Sequence, residues 1–188
     1  IEDDETNKTI SFAAFCINGE IRAYWMGEKL REHPVRFGTA TFARSVYVKE
    51  CYEQSVPLLK ELNYTGVCEV EYLKDPRDGV YKLIEINART WLWVGLARAC
   101  GVDFVRMSYQ HVNDMEIDTP NKYETGICWL NPWTDTAYAA KAMLQKELTP
   151  KAWLESLKGK KVDALFDDDD WKPALAYFFN SLFYLKNR

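Results

Sequence analysis

The sequence predicts an α+β fold in which an antiparallel sheet carries helices packed on one face and is followed by a mainly helical C-terminal extension. The sheet is signalled by two turn sequences. Asn18-Gly19 and Asp75-Pro76-Arg77-Asp78-Gly79 each separate two runs rich in β-branched and aromatic residues, which is hairpin chemistry. The helices are signalled by apolar residues recurring at helical spacing between and after those hairpins. The order that results is strand, strand, helix, strand, strand, helix.

Taken in order, Ser11 to Cys16 and Ile21 to Met26 form the first strand pair around Ile17-Asn18-Gly19-Glu20. The segment Gly27 to Arg44 brings Lys29, Arg31, Arg36 and Arg44 close to Gly38 and two threonines. Polyphosphate oxygens want such donors, although each cation taken alone reads as part of a solvated basic loop. From Val48 to Leu62 the apolar positions Val48, Cys51, Tyr52, Val56, Leu59 and Leu62 share one helical face, and Pro57 is expected to kink or split that helix. Val67 to Leu73 and Val80 to Ile86 make the second hairpin. Trp91 to Cys100 reads as a helix ending at Gly101, with Trp91 and Trp93 in the core or a pocket wall, and Asp103 caps another running to about Val112.

The division falls at residues 1–115 for this lobe and 116–188 for an extension of strand plus helices packed on it. The extension holds a strand from Thr125 to Leu130, a helix from about Thr134 to Glu147 and a helix start at Thr149-Pro150. Asp167 to Asp170 precede an apolar-periodic run and read as helix capping, not as a second metal site. In that last helix Leu175, Phe178, Phe179, Leu182 and Phe183 make a wide aromatic stripe, to be covered by this lobe, by missing domains or by another subunit.

Composition bounds the function. The 188 residues are 47% apolar and 28% charged, ordinary for a globular protein. A net charge of −4 argues against a general nucleic-acid binder. No run approaches the roughly 18 apolar residues of a membrane span, and the last helix lacks the basic excess of an interfacial one. The five cysteines are odd in number and widely spread, the pattern of buried thiols in a reducing cytoplasm. The chain opens on Ile1 within an acidic, polar stretch and is expected to be a piece of something longer.

The second hairpin carries the chemistry. If Leu73 faces Leu83, alternation puts Glu69, Glu71, Glu85 and Asn87 on one face, with Glu71 opposite Glu85 and Arg89 at the strand exit. Opposed carboxylates destabilise a sheet unless a cation or a shared proton joins them. Oxygen-only ligands favour Mg²⁺ or Mn²⁺, and magnesium takes one or two carboxylates plus substrate phosphates, so a nucleoside triphosphate is the natural partner. The competing reading is the solvated face of an ordinary hairpin.

Glu85-Ile86-Asn87-Ala88-Arg89, with Glu69-Val70-Glu71 upstream, closely resembles the metal-binding hairpin of the ATP-grasp superfamily. The first hairpin resembles the opening of that fold's C-terminal lobe. The resemblance implies Glu71, Glu85 and Asn87 as metal ligands, Arg89 as the catalytic arginine, and Lys29, Arg31 and Leu73 as residues contacting ATP. It assigns no role to Glu69 or to His33. It further implies an ATP-dependent ligase that activates a carboxylate as an acyl phosphate for attack by an amine. The stretch Gly27-Glu28-Lys29-Leu30-Arg31 with Phe37-Gly38-Thr39-Ala40-Thr41 looks most like carboxylate-amine ligases of the carbamoyl phosphate synthase-like kind. Its expected partners are small-molecule carboxylate and amine substrates and missing N-terminal domains of the same protein, with a homo-oligomer possible. Alone, the chain is expected to be inactive, and the alternative is a binding or structural module that keeps the fold.

Overall fold

The computed structural model describes residues 9–33, 38–167 and 169–186. Its strands are β1 (Thr9–Ile17), β2 (Glu20–His33), β3 (Thr39–Ser45), β4 (Gly66–Lys74), β5 (Tyr81–Asn87), β6 (Cys128–Leu130) and β7 (Lys161–Asp163). They form a seven-stranded sheet in the order β5-β4-β1-β2-β3-β6-β7. Neighbours run antiparallel except β6 and β7, which pair in parallel. The helices are α1 (Lys49–Glu61), α2 (Val94–Ala99), α3 (Phe104–Val112), α4 (Pro132–Leu144), α5 (Pro150–Ser156) and α6 (Lys172–Lys186).

The α+β class and the hairpins stand as expected. Asn18 and Gly19 take φ of +50° and +77°, the two-residue turn whose twist matches that of the strands it joins. Gly19 is needed twice over, because a Cβ there would also lie 2.9 Å from the carbonyl oxygen of Lys60 at the end of α1.

Helices cover both faces of the sheet where one face was expected. The reason lies in β1, whose residues Ser11-Phe12-Ala13-Ala14-Phe15-Cys16 are small or apolar at both parities, so neither face can be left to water. Ile10, Phe12, Ala14 and Cys16 pack with Cys51 and Leu59 of α1. Ala13 and Phe15 pack on the opposite side with Trp25, Trp91, Trp93, Leu96 of α2 and Phe104 of α3.

Other differences are local. The basic segment read as a loop is a strand pair: β2 continues through Lys29 and Arg31, and β3 returns beside it. Arg36, in residues 34–37, lies outside the described residues. The helix α1 passes Pro57 without splitting. In α2 the helix is shorter than the Trp91–Cys100 reading, whereas α3 begins where Asp103 accepts the Arg106 backbone N–H at 3.0 Å. Asn131 and Thr149 cap α4 and α5 in the same way. Before α6, Asp170 accepts from the Lys172 backbone N–H at 3.2 Å, while Asp168 is outside the described residues.

On α6, Phe179 is largely exposed and Leu175 and Phe178 partly so, with Phe178 set 5.2 Å from the Trp133 ring; the side chains of Leu182 and Phe183 lie outside the described residues. The cysteines are free thiols, buried at Cys16, Cys51, Cys68 and Cys100 and half-buried at Cys128. Among the described residues no helix is long and apolar enough to cross a membrane.

Candidate functional site

The β4–β5 hairpin pairs Glu69 with Asn87, Val70 with Ile86 and Glu71 with Glu85, so the acidic residues and the amide share one face. Nearer the turn the register differs from expectation. Leu73 faces Lys82, not Leu83, and an extra residue on β5, Ile84, forms a bulge that restores the Glu71–Glu85 pairing. The turn accounts for the offset. Asp75 and Val80 close it by backbone bonds, and the Asp75 carboxylate binds both Arg77 and Lys82, anchoring the start of β5.

A cleft of about 980 Å³ opens over this face. Lys29, Arg31, Glu71, Leu73, Glu85, Asn87 and Arg89 all line it, together with Glu69, Trp91, Trp93 and Tyr138. Lys29 lies on β2, two strands from β4. Its side chain crosses β1 where Thr9 and Ser11 are small, and its Nζ donates to Glu71 Oε1 at 2.9 Å. Both side chains are mostly buried, at 10% and 14% exposure, so one of the expected metal ligands already has a cationic partner.

Arg31 lines the same cleft but its nitrogens are engaged elsewhere. Nε and Nη2 donate to the two oxygens of Asp135 at 2.7 and 2.9 Å, Nη1 donates to Ser156 Oγ at 2.8 Å, and the guanidinium lies 4.3 Å above the Phe42 ring. Asp135, fully buried, also accepts from Thr41 Oγ1 at 3.1 Å and Trp153 Nε1 at 2.9 Å. This node joins β2 and β3 to α4 and α5. Sequence reasoning missed it because Asp135 sits in a first helical turn, where an acid ordinarily serves the helix dipole.

Arg89 is exposed at the strand exit and donates to the Thr90 carbonyl at 3.0 Å. Glu69, unassigned from sequence, is 1% exposed, and its Oε2 accepts from Asn87 Nδ2 at 3.3 Å. Burial first, and the Glu71 carboxylate second, push its carboxyl up to about 7, against the partial offset of the Ser11 hydroxyl, Lys29 and Arg89. Period-2 alternation places it on that face, but says nothing of its burial.

Behind these polar groups stands an aromatic wall. Trp25 stacks on Trp91 with centroids 6.1 Å apart and meets Trp93 edge-on at 5.3 Å. Gly27 makes room, because a Cβ there would fall 2.3 Å from the Trp25 ring and 2.6 Å from the Trp93 ring. On this face of the sheet the Ser11 hydroxyl and the Glu69 carboxyl are buried beside each other, and Trp91 Nε1 is buried without a hydrogen bond.

The donors suit a hard divalent ion. Glu71, Glu85 and Asn87 offer oxygens only, and among the described residues no three His, Cys, Asp or Glu side chains converge into a ready cage. Such a sparse set fits an ion that brings water and phosphate oxygens with it. Lys29 and Arg89 add positive charge to a cleft walled on one side by indole rings, an arrangement able to bind an anion and its counter-ion together.

Residues 35–118 match the family model described as the carbamoyl-phosphate synthase L chain, ATP binding domain. The chain is similar to a D-aspartate ligase of Enterococcus faecium (strain Aus0004), 31% identical over 91 residues, which are 47% of this chain and 22% of that protein. Among solved structures it is similar to a biotin carboxylase from Campylobacter jejuni, described as a β,γ-ATP complex. That similarity is 13% identity over 65% of this chain and 29% of the other, with a TM-score of 0.53. The biotin carboxylase domain of Hydrogenobacter thermophilus 2-oxoglutarate carboxylase, described as a complex with MgADP, ADP and bicarbonate, matches at 16% identity. It covers 64% of this chain and 28% of that one, with a TM-score of 0.49. The chain thus spans under a third of the length of each of these proteins.

Proposed function

We propose that this chain belongs to the ATP-grasp superfamily and supplies the metal-and-phosphate side of the active site of an ATP-dependent carboxylate-amine ligase. The observation that carries the proposal is the gathering of Glu71, Glu85, Asn87, Lys29 and Arg89 around one cleft, with the two carboxylates paired across the hairpin. The rest of the nucleotide site is contributed by sequence outside this chain, and residues 1–115 act as the lobe with 116–188 as its extension.

Glu71, Glu85 and Asn87 would hold Mg²⁺ or Mn²⁺, which when bound offsets the charge of the ATP phosphates. Lys29 is the phosphate-contacting cation. Its ion pair with Glu71 keeps the ammonium ordered beside the ligand set, from which it can turn to a terminal phosphate oxygen. Arg31 serves that task indirectly: its nitrogens are held by Asp135 and Ser156, so it fixes the end of β2 that carries Lys29. Leu73 supplies apolar cover for the nucleotide. Arg89, exposed at the cleft, orients the acceptor carboxylate and stabilises the negative charge that develops as the phosphoryl group reaches it. Attack by an amine on the resulting acyl phosphate forms the amide C–N bond as the acyl C–O bond breaks, releasing inorganic phosphate and a proton to solvent.

The test is Glu85→Gln in the full protein, which keeps the side-chain shape and removes a ligand charge. Mg²⁺-ATP-dependent turnover should fall by about 10²–10³-fold with the melting temperature little changed. Unaltered turnover would overturn the metal assignment.

A further inference from the structure

We infer that Glu69 is a positioning residue for Asn87, holding that amide with its carbonyl oxygen turned towards the metal position. The inference rests on the metal role proposed above for Asn87 and assigns a function to a side chain which that role leaves unused.

Glu69 and Asn87 are direct partners across the hairpin and lie on the face that carries Glu71 and Glu85. Glu69 Oε2 accepts from Asn87 Nδ2 at 3.3 Å. Once ionised, the carboxylate only accepts, so the amide then presents its nitrogen to it, and Oδ1 faces the other way. That oxygen is the only atom of the Asn side chain a hard cation takes. Without such a partner the terminal torsion of an asparagine is broad and roughly two-fold, and half of its orientations would aim an NH₂ group at the cation.

Two further features separate this role from the bland ones. With 1% exposure, Glu69 is not the solvated face of a hairpin. It is buried two residues along β4 from Glu71 and on the same face, so its carboxylate is costly where it stands and is poorly explained as a stabilising group. Outer-shell partners that orient a ligand in this way are worth about 10–100-fold in metal affinity.

The experiment titrates Mn²⁺ in the presence of ATP, following free Mn²⁺ by electron paramagnetic resonance, on the full protein and on Glu69→Gln, Asn87→Asp and the double variant. Melting temperatures are recorded alongside. Glu69→Gln should weaken Mn²⁺ binding about 10–100-fold, because the new amide can donate to Asn87 and turn it over. Asn87→Asp alone should also weaken it, by setting two carboxylates against each other. In the double variant the introduced amide donates to the introduced carboxylate, and Mn²⁺ affinity should be largely restored. Affinity within about twofold of the unsubstituted protein in Glu69→Gln would overturn the inference, as would a double variant no better than the weaker single one. A purely structural role would instead lower the melting temperature and leave the Mn²⁺ affinity of the folded protein unchanged. Absence of Mn²⁺ binding in the unsubstituted protein would overturn the metal reading itself, and this inference with it.

Discussion

Glu69 titrates where a surface glutamate does not, and this gives stability a pH dependence of definite sign. Its carboxyl is raised from the ordinary 4.5 to about 7, so between those values the folded chain keeps a proton that the unfolded chain has lost. The contribution to stability is therefore greatest below pH 4.5, falls as pH rises through the window to about 7, and is flat above it. The loss is on the order of 3 kcal/mol. In metal-free protein, the difference in urea midpoint between the unsubstituted chain and Glu69→Gln should shrink or reverse across that window; parallel pH profiles would contradict it. Asp135 gives a second residue-level expectation. Asp135→Ala leaves the mostly buried Arg31 guanidinium without its charge partner and should cost about 3–5 kcal/mol. Removing Arg31 as well should cost less than the sum of the two single changes, as read from chemical denaturation. Neither residue's situation was legible in the sequence. Glu69 looks like any alternating acid until the sheet buries it, and Asp135 meets its arginine 104 residues away.

At the scale of elements the hairpins were the most legible part of the chain, because turn chemistry and period-2 patterning are local. Asn18-Gly19 and the Asp75–Gly79 turn both close where their residues said they would. Period 2 also placed Glu71 opposite Glu85, but the bulge at Ile84 was hidden, since it follows from Asp75 gripping Lys82 and leaves no mark in hydrophobicity. β3 was missed for a related reason. Lys29, Arg31 and Arg44 suggested solvated loop, whereas Glu71, Asp135 and Glu28 neutralise them within the folded sheet. The indole wall makes its own prediction in β2. Gly27→Ala drives a methyl group into the Trp25 and Trp93 rings and should destabilise by about 1–3 kcal/mol while changing the near-ultraviolet circular dichroism of the tryptophans. An unchanged denaturation midpoint would show that the wall can yield.

Over the whole molecule, the sheet is a platform whose faces are divided between two tasks. The α1 face is packed with apolar side chains, and the opposite face carries both the tryptophan wall and the polar cleft. The Asp135 node then couples the later helices to β2 and β3, so that strands carrying Lys29 and Thr41 are held by residues far along the chain. The α+β class could be read ahead of the structure, but the covering of both faces could not, because it depends on β1 lying inside the sheet between β4 and β2, and pairing order is not a local property. In the function proposed above, Glu71, Glu85 and Asn87 form the metal side of an ATP site completed from outside these 188 residues. The most direct measurement is calorimetric titration of ATP, with and without Mg²⁺, into this chain, the full protein and its Glu85→Gln variant. Mg²⁺-dependent binding is expected of the unsubstituted full protein alone; binding of equal strength without Mg²⁺, or in Glu85→Gln, would overturn the metal assignment.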